Sequence, residues 1–579
     1  MAELVAVAVD PVQGAVTIRS DGDAEHHSAQ HHDAQHHDTT SMAHHLGRLD
    51  EAGVRWLWWN AATARALVTL GVRPRRCWDL GAVHRMLVGG SSSGPEVVWA
   101  HLNGLDPSTI PTIQPVDLFS QSIDAGDPET PVGPDGHVRP EWVEGAWTSS
   151  HDRMERWARL LFTLQAAQER ELAERAALES TGTMSHVRTT AFAESATEVI
   201  CAELEHDGLP FDRTVGEKIV AGFVGRRPTS PGDETVLLAA LDRAVLAHLP
   251  EGSHLDLRSP DQVKSLLRRV GIEVPDTRAW RLEALRDTHP VVDALLEWRR
   301  AERIRTTFGY GWIDEHVGAD GRLRGRWSGS DGSAGRMTAT AGLHNMPSEM
   351  RPAIVAEPGH VFVRADLGQI EPRVLAAVSG DLKLAAATHD ADMYAPIAER
   401  LRVGRDIAKV AVLGAMYGQT TGKGAEALHG LEREYPIAMN HLRRADESAQ
   451  GGHDLATHGG RRITMSSDHV DGMSSGDVRA RAAARGRYGR NAIVQGAAAE
   501  LFKTWAILVR ARIAPLGAGI VLCLHDELVI HAPAACADDV VVLVDASLQE
   551  AAARWAPPSE VPVHFLADTS IIGRWSDAK

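Results

Sequence analysis

Three segments of the chain combine residue types able to carry out metal-assisted transfer of a charged group. In HVFVRADLGQIEPRV, apolar residues alternate at Val361, Val363 and Ala365, and Asp366 closes the run. Period-two alternation marks a strand, and a carboxylate at its end can project into a cleft. Taken alone, most such aspartates are turn formers. In GIVLCLHDELVIHAP, two apolar runs flank His525, Asp526 and Glu527, the pattern of a hairpin with an acidic tip. An ordinary polar turn favours Asn-Gly or Asp-Gly, and a poor local choice often marks function. In RDIAKVAVLGAMYG, Arg405, Lys409, Leu413 and Tyr417 recur every fourth residue. On a helix they form one stripe that drifts about 40° per step. Like charges at i,i+4 are mildly unfavourable, so the Arg405–Lys409 edge either faces water or awaits an anion. Carboxylates able to hold two divalent ions about 4 Å apart, cations for a triphosphate and a surface to shape a base pair are the components of two-metal nucleotide addition. RARAAARGRYGRN, with Arg479, Arg481, Arg485, Arg487 and Arg490, either tracks phosphates or lies as a solvated helix face.

The elements that must position these residues are readable in outline. Residues 1–20 alternate as strands (LVAVAVD, AVTIRS). Histidine pairs recur from His26-His27 to His44-His45, and without a carboxylate or cysteine set to fix a geometry they read as a solvated low-complexity loop rather than a metal-binding tail. Residues 120–140 are rich in Pro, Gly and Asp and read as a loop; 141–205 read as helical; Arg226 to Asp233 interrupt further helices. Val291 to Phe308 form a long amphipathic pattern. Gly and Ser dominate 328–335, and strand-like runs then flank a large helical block. That order indicates α+β rather than repeated βαβ units.

Composition narrows the class. At 579 residues the chain exceeds one domain, and 44% hydrophobic content supports buried cores. There is no run of eighteen apolar residues and no basic stretch ahead of Asp10, so neither a membrane span nor a signal peptide is expected. Cys77, Cys201, Cys523 and Cys536 are scattered and form no CxxC, which suits a reducing, cytoplasmic setting and no zinc module. The net charge of −17 is not the basic signature of general nucleic-acid binding, though a local positive face suffices for it. Only seven of the 60 basic residues are Lys, so single arginines carry little information.

Together and in order, these segments resemble family-A DNA polymerases, the DNA polymerase I-like enzymes. The family's first palm motif, DYSQIELR, corresponds to DLGQIEPR at Asp366 to Arg373; its finger-helix motif, RxxxKxxxFGxxYG, to RDIAKVAVLGAMYG; its last palm motif, VHDE, to LHDE at Leu524 to Glu527. SAGRMTATAGLHNMP (333–347), THGGRR (457–462) and RYGRNAIVQGAAAELFK (487–503) are similar to further family segments, so the likeness covers roughly residues 195–579. It implies an α+β right hand of palm, fingers and thumb behind an α/β, ribonuclease-H-like exonuclease-type domain. The implied divisions are 1–195 exonuclease-like, 196–330 largely thumb, 331–384 first palm part, 385–515 fingers and 516–579 second palm part. The implied activity is template-directed addition of deoxynucleotides to a primer 3′ end, in replication or repair, by a cytoplasmic, nucleoid-associated monomer whose partners are primer-template DNA and deoxynucleoside triphosphates.

The resemblance also implies roles. Asp366 and Asp526, with the main chain of Leu367, would hold two Mg²⁺ ions, for which Mn²⁺ substitutes, and Glu527 would support them. Arg405 and Lys409 would contact the triphosphate, with Lys409 as proton donor to the leaving group. Gln369 and His525 would lie at the nucleotide, Tyr417 beside the templating position, and Glu371 against the sugar 2′-position. Arg336, Asn345, Arg487, Asn491 and Gln495 would contact DNA. Leu413 stands where the family has Phe or Tyr, Leu367 replaces Tyr, Gly368 replaces Ser and Pro372 replaces Leu. These departures point to altered nucleotide selection. At the front of the chain VAVDPVQGAV supplies Asp10 but no DxE, and LLFTLQAAQERELAE has no aspartate, so the exonuclease-like domain is expected to lack its metal ligands. The competing readings are a 3′–5′ exonuclease with a vestigial polymerase domain and a non-catalytic DNA-binding scaffold.

Overall fold

Two strands open the chain, Leu4–Asp10 (β1) and Gly14–Arg19 (β2), paired antiparallel. The computed structural model describes residues 3–19, 34–37, 41–113, 127–178, 184–249, 255–418, 425–465, 475–556 and 559–578. Ala34–His37 (β3) adds antiparallel to β2, while Arg55–Trp58 (β4) and Cys77–Asp79 (β5) continue parallel from β1, in the order β3-β2-β1-β4-β5. Alternation along β1 buries both faces. Val5, Val7 and Val9 join one core with Trp56 and Trp58, and Ala6 and Ala8 join another with Trp78. Helices therefore cover the sheet on each side: Met42–Glu51 (α1), Ala61–Thr69 (α2), Leu80–Val88 (α3), His151–Leu178 (α4) and Met184–Asp207 (α5). Each large indole in this core finds an acceptor, Trp58 Nε1 on Asp79 at 2.7 Å and Trp78 Nε1 on Gln168 at 2.8 Å, as buried donors must.

The histidine tract departs from the loop expected for it. Ala34–His37 is a strand because the open edge of β2 offers unpaired backbone groups that strand addition satisfies. His44 and His45 belong to α1, and His26, His27, His31 and His32 lie outside the described residues. Residues 127–139 have no long element, as expected for the 120–140 loop, whose first part is also outside the described residues.

One compact unit comprises Gly208–Gly325, Thr340–Pro358 and Ile572–Lys579 and is mainly helical. Its longest helix, Pro290–Phe308 (α6), begins one residue before the expected pattern, with Pro290 in its first turn and the His289 ring accepting from Val291 N at 3.1 Å. Val291, Leu295, Trp298, Ile304 and Phe308 form its buried stripe.

The other unit comprises Met1–Asp207, Arg326–Ala339 and Gly359–Ile571, and so contains the N-terminal sheet together with a second one. That second sheet runs Gly519–Leu524 (β7), Glu527–Pro533 (β8), His360–Leu367 (β6), Ala567–Ile572 (β9). Around it lie Ile370–Ser379 (α7), Arg405–Tyr417 (α8), Pro436–Gln450 (α9), Ser475–Ile513 (α10) and Ala537–Trp555 (α11). By length and composition α10 passes as a membrane span, but 83% of its apolar window is buried within the fold, as in a core helix. With 59% helix and 13% strand the class is α+β. The boundary expected at 195 falls inside α5, which continues to Asp207. Helical periodicity specifies which face is buried, not which domain buries it.

Candidate active site

The carboxylates meet because of strand register. β6 and β8 pair antiparallel with Asp366 directly opposite Glu527, and β7 and β8 pair with Leu524 opposite Glu527, leaving His525 and Asp526 as the tip. Leu367 N donates to Asp526 O at 2.9 Å, tying the tip to the end of β6. His525 has φ +42°, a left-handed conformation that costs energy in a residue with a Cβ and is usual at functional turns. This strain explains why the tip lacks ordinary turn residues. Burial, then the neighbouring charge of Asp366, pushes the Asp526 carboxyl up to about 7. Burial also holds Asp366 above the usual carboxylate range; Arg364 opposes this, and Glu527 and Asp568 add to it.

A second set of side chains converges on the tip. The Tyr417 hydroxyl donates to Glu371 Oε2 at 2.9 Å, joining the C-terminal end of α8 to the first turn of α7. Burial, then Glu371, raises the Tyr417 phenol, and Gln495 and Arg336 face it as well. Burial, then Arg336, lowers the His525 imidazole, with Glu371 opposing. Glu371 also faces Asp526. Arg336, Glu371, Tyr417, Gln495, His525 and Asp526, scattered over nearly two hundred positions of sequence, thus share one neighbourhood.

The stripe expected on α8 is present. Arg405, Lys409 and Tyr417 are exposed and Leu413 half-buried, while Ala408, Ala411, Val412 and Ala415 face inward. Lys409 makes no ion pair with any described residue. Arg405 is held by Asp392, a residue that sequence reading did not single out. Gln369, expected among the nucleotide contacts, instead has both ends of its amide engaged. Its Nε2 donates to Asp392 Oδ1 at 2.9 Å, and its Oε1 accepts from Met393 N at 2.9 Å. The loop carrying Asp392 is fixed by Arg373, a fully buried guanidinium that donates to the carbonyls of Gly368, Thr388, Asp390, Ala391 and His564 at 2.6–3.0 Å. Arg373 is therefore a clamp between the end of β6 and the loop that aims Arg405.

This arrangement, carboxylates at a sheet's edge beside a cationic helix, matches a known family. A family model described as DNA polymerase family A matches residues 238–576, more than half of the chain. The chain belongs to DNA polymerase family A. The thermostable DNA polymerase I of Thermus filiformis is 30% identical over 330 residues, 52% of this chain and 38% of that protein. DNA polymerase I of Chloroflexus aurantiacus is 31% identical over 283 residues, 44% of this chain and 29% of that protein. DNA polymerase theta of Caenorhabditis elegans is 26% identical over 315 residues, 48% of this chain and 19% of that protein. The matched part thus spans well under half the length of these curated relatives. A solved structure described as the POL domain of Pol1 from M. smegmatis in complex with DNA primer-template and dNTP superposes with a TM-score of 0.65 at 20% identity, covering 100% of this chain and 96% of that one. At that identity the likeness establishes a shared fold.

Within the family-A fold, the THGGRR loop is anchored by buried charge. Arg461 and Lys503 flank Glu194 at 2.5 and 2.6 Å, all three almost wholly buried. Glu500 accepts from Thr457 Oγ1 and, at 2.9 Å, from Gly459 N, and burial raises its carboxyl to about 7. Glu194 lies on α5, so the N-terminal region supplies the counter-charge for a loop more than 250 residues later.

The remaining expected DNA contacts lie apart from these interactions. Arg487 is exposed on α10 and packs on Gly418, where a Cβ would lie 2.7 Å from its Cγ. Asn491, also on α10, has a buried Oδ1 with no hydrogen-bond partner among the described residues. Asn345 is exposed in the other compact unit, its carbonyl accepting from Arg303 at 2.9 Å.

Family-A polymerases generally use divalent metal ions. The donors here suit such ions. Asp366 and Asp526 are hard oxygen ligands brought to one edge, and crowding with too little counter-charge raises both carboxyls. A dication relieves that crowding.

Proposed function

We propose that this protein is a template-directed DNA polymerase that extends a primer 3′ end with deoxynucleotides. The observation carrying this reading is the register that sets Asp366 opposite Glu527, with Asp526 at the adjoining tip. A scaffold that only bound DNA would not need three acidic groups crowded at such electrostatic cost. Asp366 and Asp526, with the Leu367 carbonyl, would hold two Mg²⁺ ions. When bound, these supply the Lewis acidity that activates the primer hydroxyl and stabilises the pyrophosphate leaving group.

The chain's own residues do the rest. Arg405, oriented by Asp392, and Lys409 receive the triphosphate charge, and Lys409 Nζ is placed to protonate the leaving group. Glu371, fixed by Tyr417, closes the space beside the sugar 2′-carbon. Arg336, Gln495 and His525 face the minor groove, whose acceptors are nearly independent of sequence and so suit an enzyme that copies any template. Primer-template DNA and deoxynucleoside triphosphates are the partners this requires, as in the complex described for the Pol1 POL domain.

In the N-terminal region Asp10, at the end of β1, accepts from Val12 N and Gln13 N of its own turn, each at 2.9 Å. A carboxylate engaged in this way supports reading the domain as exonuclease-like without nuclease chemistry.

Primer extension with Mg²⁺ and four deoxynucleotides tests the proposal, with Asp526→Asn alongside. Lengthening of the primer by wild type and a loss of roughly a thousandfold or more in the variant is expected, the scale of several kcal/mol of lost charge stabilisation. Shortening of the primer, or extension indifferent to Asp526→Asn, rejects the reading.

A further inference from the structure

The palm sheet carries a cation that none of the motifs predicts. Arg364 stands two residues before Asp366 on β6, so strand alternation puts both side chains on one face. Its Nη2 donates to Asp366 Oδ2 at 2.7 Å and to Glu527 Oε2 at 2.9 Å, and its Nη1 lies 3.8 Å from Asp568 Oδ2. The guanidinium is 12% exposed, Glu527 10% and Asp366 32%, whereas Asp568 is 78% exposed. One oxygen of a metal-binding carboxylate is therefore already engaged by a charge that cannot be titrated away.

Resting on the polymerase reading above, we infer that Arg364 is a resident counter-cation that competes with divalent ions for Asp366 and sets how much metal the enzyme needs. The guanidinium holds Glu527 and Asp366 together in the metal-free enzyme, so the crowded carboxylates are not all left to repel one another. For an ion to take Asp366 Oδ2, Nη2 must release that oxygen. The guanidinium can do so without losing all its partners, because Glu527 lies on its other side and the exposed Asp568 is within reach. Arg364 is thus a positioning residue: it acts on the metal site through Asp366 and Glu527 and need not touch the nucleotide.

The sign of the effect is set by Coulomb's law. Even at water-like screening, removing a unit positive charge about 6 Å from a dication is worth about tenfold in affinity. Mn²⁺ titration of the full chain without nucleotide or DNA, following free Mn²⁺ by electron paramagnetic resonance, reads this directly. Arg364→Gln is expected to bind Mn²⁺ about tenfold more tightly than wild type. Arg364→Lys keeps the charge and is expected to stay within about twofold of wild type by the same reasoning. Arg364→Met, which keeps the buried stem, is a second neutral variant should the amide fail to fold. Unchanged or weaker Mn²⁺ binding in the folded neutral variants, with binding still abolished by Asp366→Asn, overturns the inference and leaves the polymerase reading intact. Binding that survives both Asp366→Asn and Asp526→Asn defeats the polymerase reading itself.

Discussion

Replacing Glu500 by Gln will reverse the pH dependence of one part of this protein's stability. Glu500 is 1% exposed and its carboxyl is raised from 4.5 to about 7, first by burial, with Glu194 adding and the hydrogen bonds from Thr457 and Gly459 and the charge of Arg461 opposing. Between pH 4.5 and 7 the folded chain keeps a proton that the unfolded chain has lost. The folded state binds more protons there, so stability falls as pH rises through that window. A shift of this size corresponds to about 3 kcal/mol. Gln is neutral throughout and mimics the protonated acid: its Oε1 can accept from Gly459 N and its Nε2 can donate to Thr457 Oγ1. The assay is the urea midpoint of wild type and Glu500→Gln at pH 5, 6, 7 and 8, taken as a difference so that groups common to both cancel. Near pH 5 the two should be nearly equal. By pH 8 the variant should be more stable by up to about 3 kcal/mol. A difference that does not change with pH, or one that grows toward acid, refutes the argument.

Three further outcomes are expected. Glu371→Ala should raise ribonucleotide incorporation relative to deoxynucleotide by roughly ten- to a hundredfold in single-nucleotide primer extension, the range over which a pocket discriminates one hydroxyl, because the carboxylate that Tyr417 fixes is removed. Leu413→Phe should change the preference among deoxy, dideoxy and ribo substrates in competition assays; identical preferences would show that the half-buried Leu413 face of α8 does not meet the nucleotide. Gly459→Ala places a Cβ 2.3 Å from Thr190 Oγ1 and 2.6 Å from Glu500 Oε2, so it should lower stability by about 1–3 kcal/mol in denaturant unfolding.

The chemistry was legible where it followed a period. Alternation placed Asp366 at a strand's end, the apolar runs around His525 to Glu527 marked the hairpin, and four-residue spacing set the stripe of α8. Residues whose role depends on a partner brought near only by folding were not legible. Asp392 sits two positions from Asp390 with nothing local to distinguish them, yet it alone of the two has its carboxylate bonded to both Arg405 and Gln369. Arg364 and Arg373 were discounted as members of an arginine-rich composition, although one bridges two acidic residues and the other donates to five carbonyls. The Glu194–Arg461–Lys503 cluster was hidden for a related reason: charged residues are usually at the surface, and no sequence pattern announces their burial.

Helix α5 has a practical consequence for anyone trimming this protein. It packs against α2, α3 and β5 at the front and against α10 and β7 behind, and it contributes Ser195 to the main chain of Asp79 as well as Glu194 to Arg461 and Lys503. A fragment begun at residue 196 would sever this shared beam, strand two interior cations without an anion and lay bare the wall on which the long helix rests. The front third of the chain is a foundation, and it is retained for the weight it carries whether or not it ever cuts DNA.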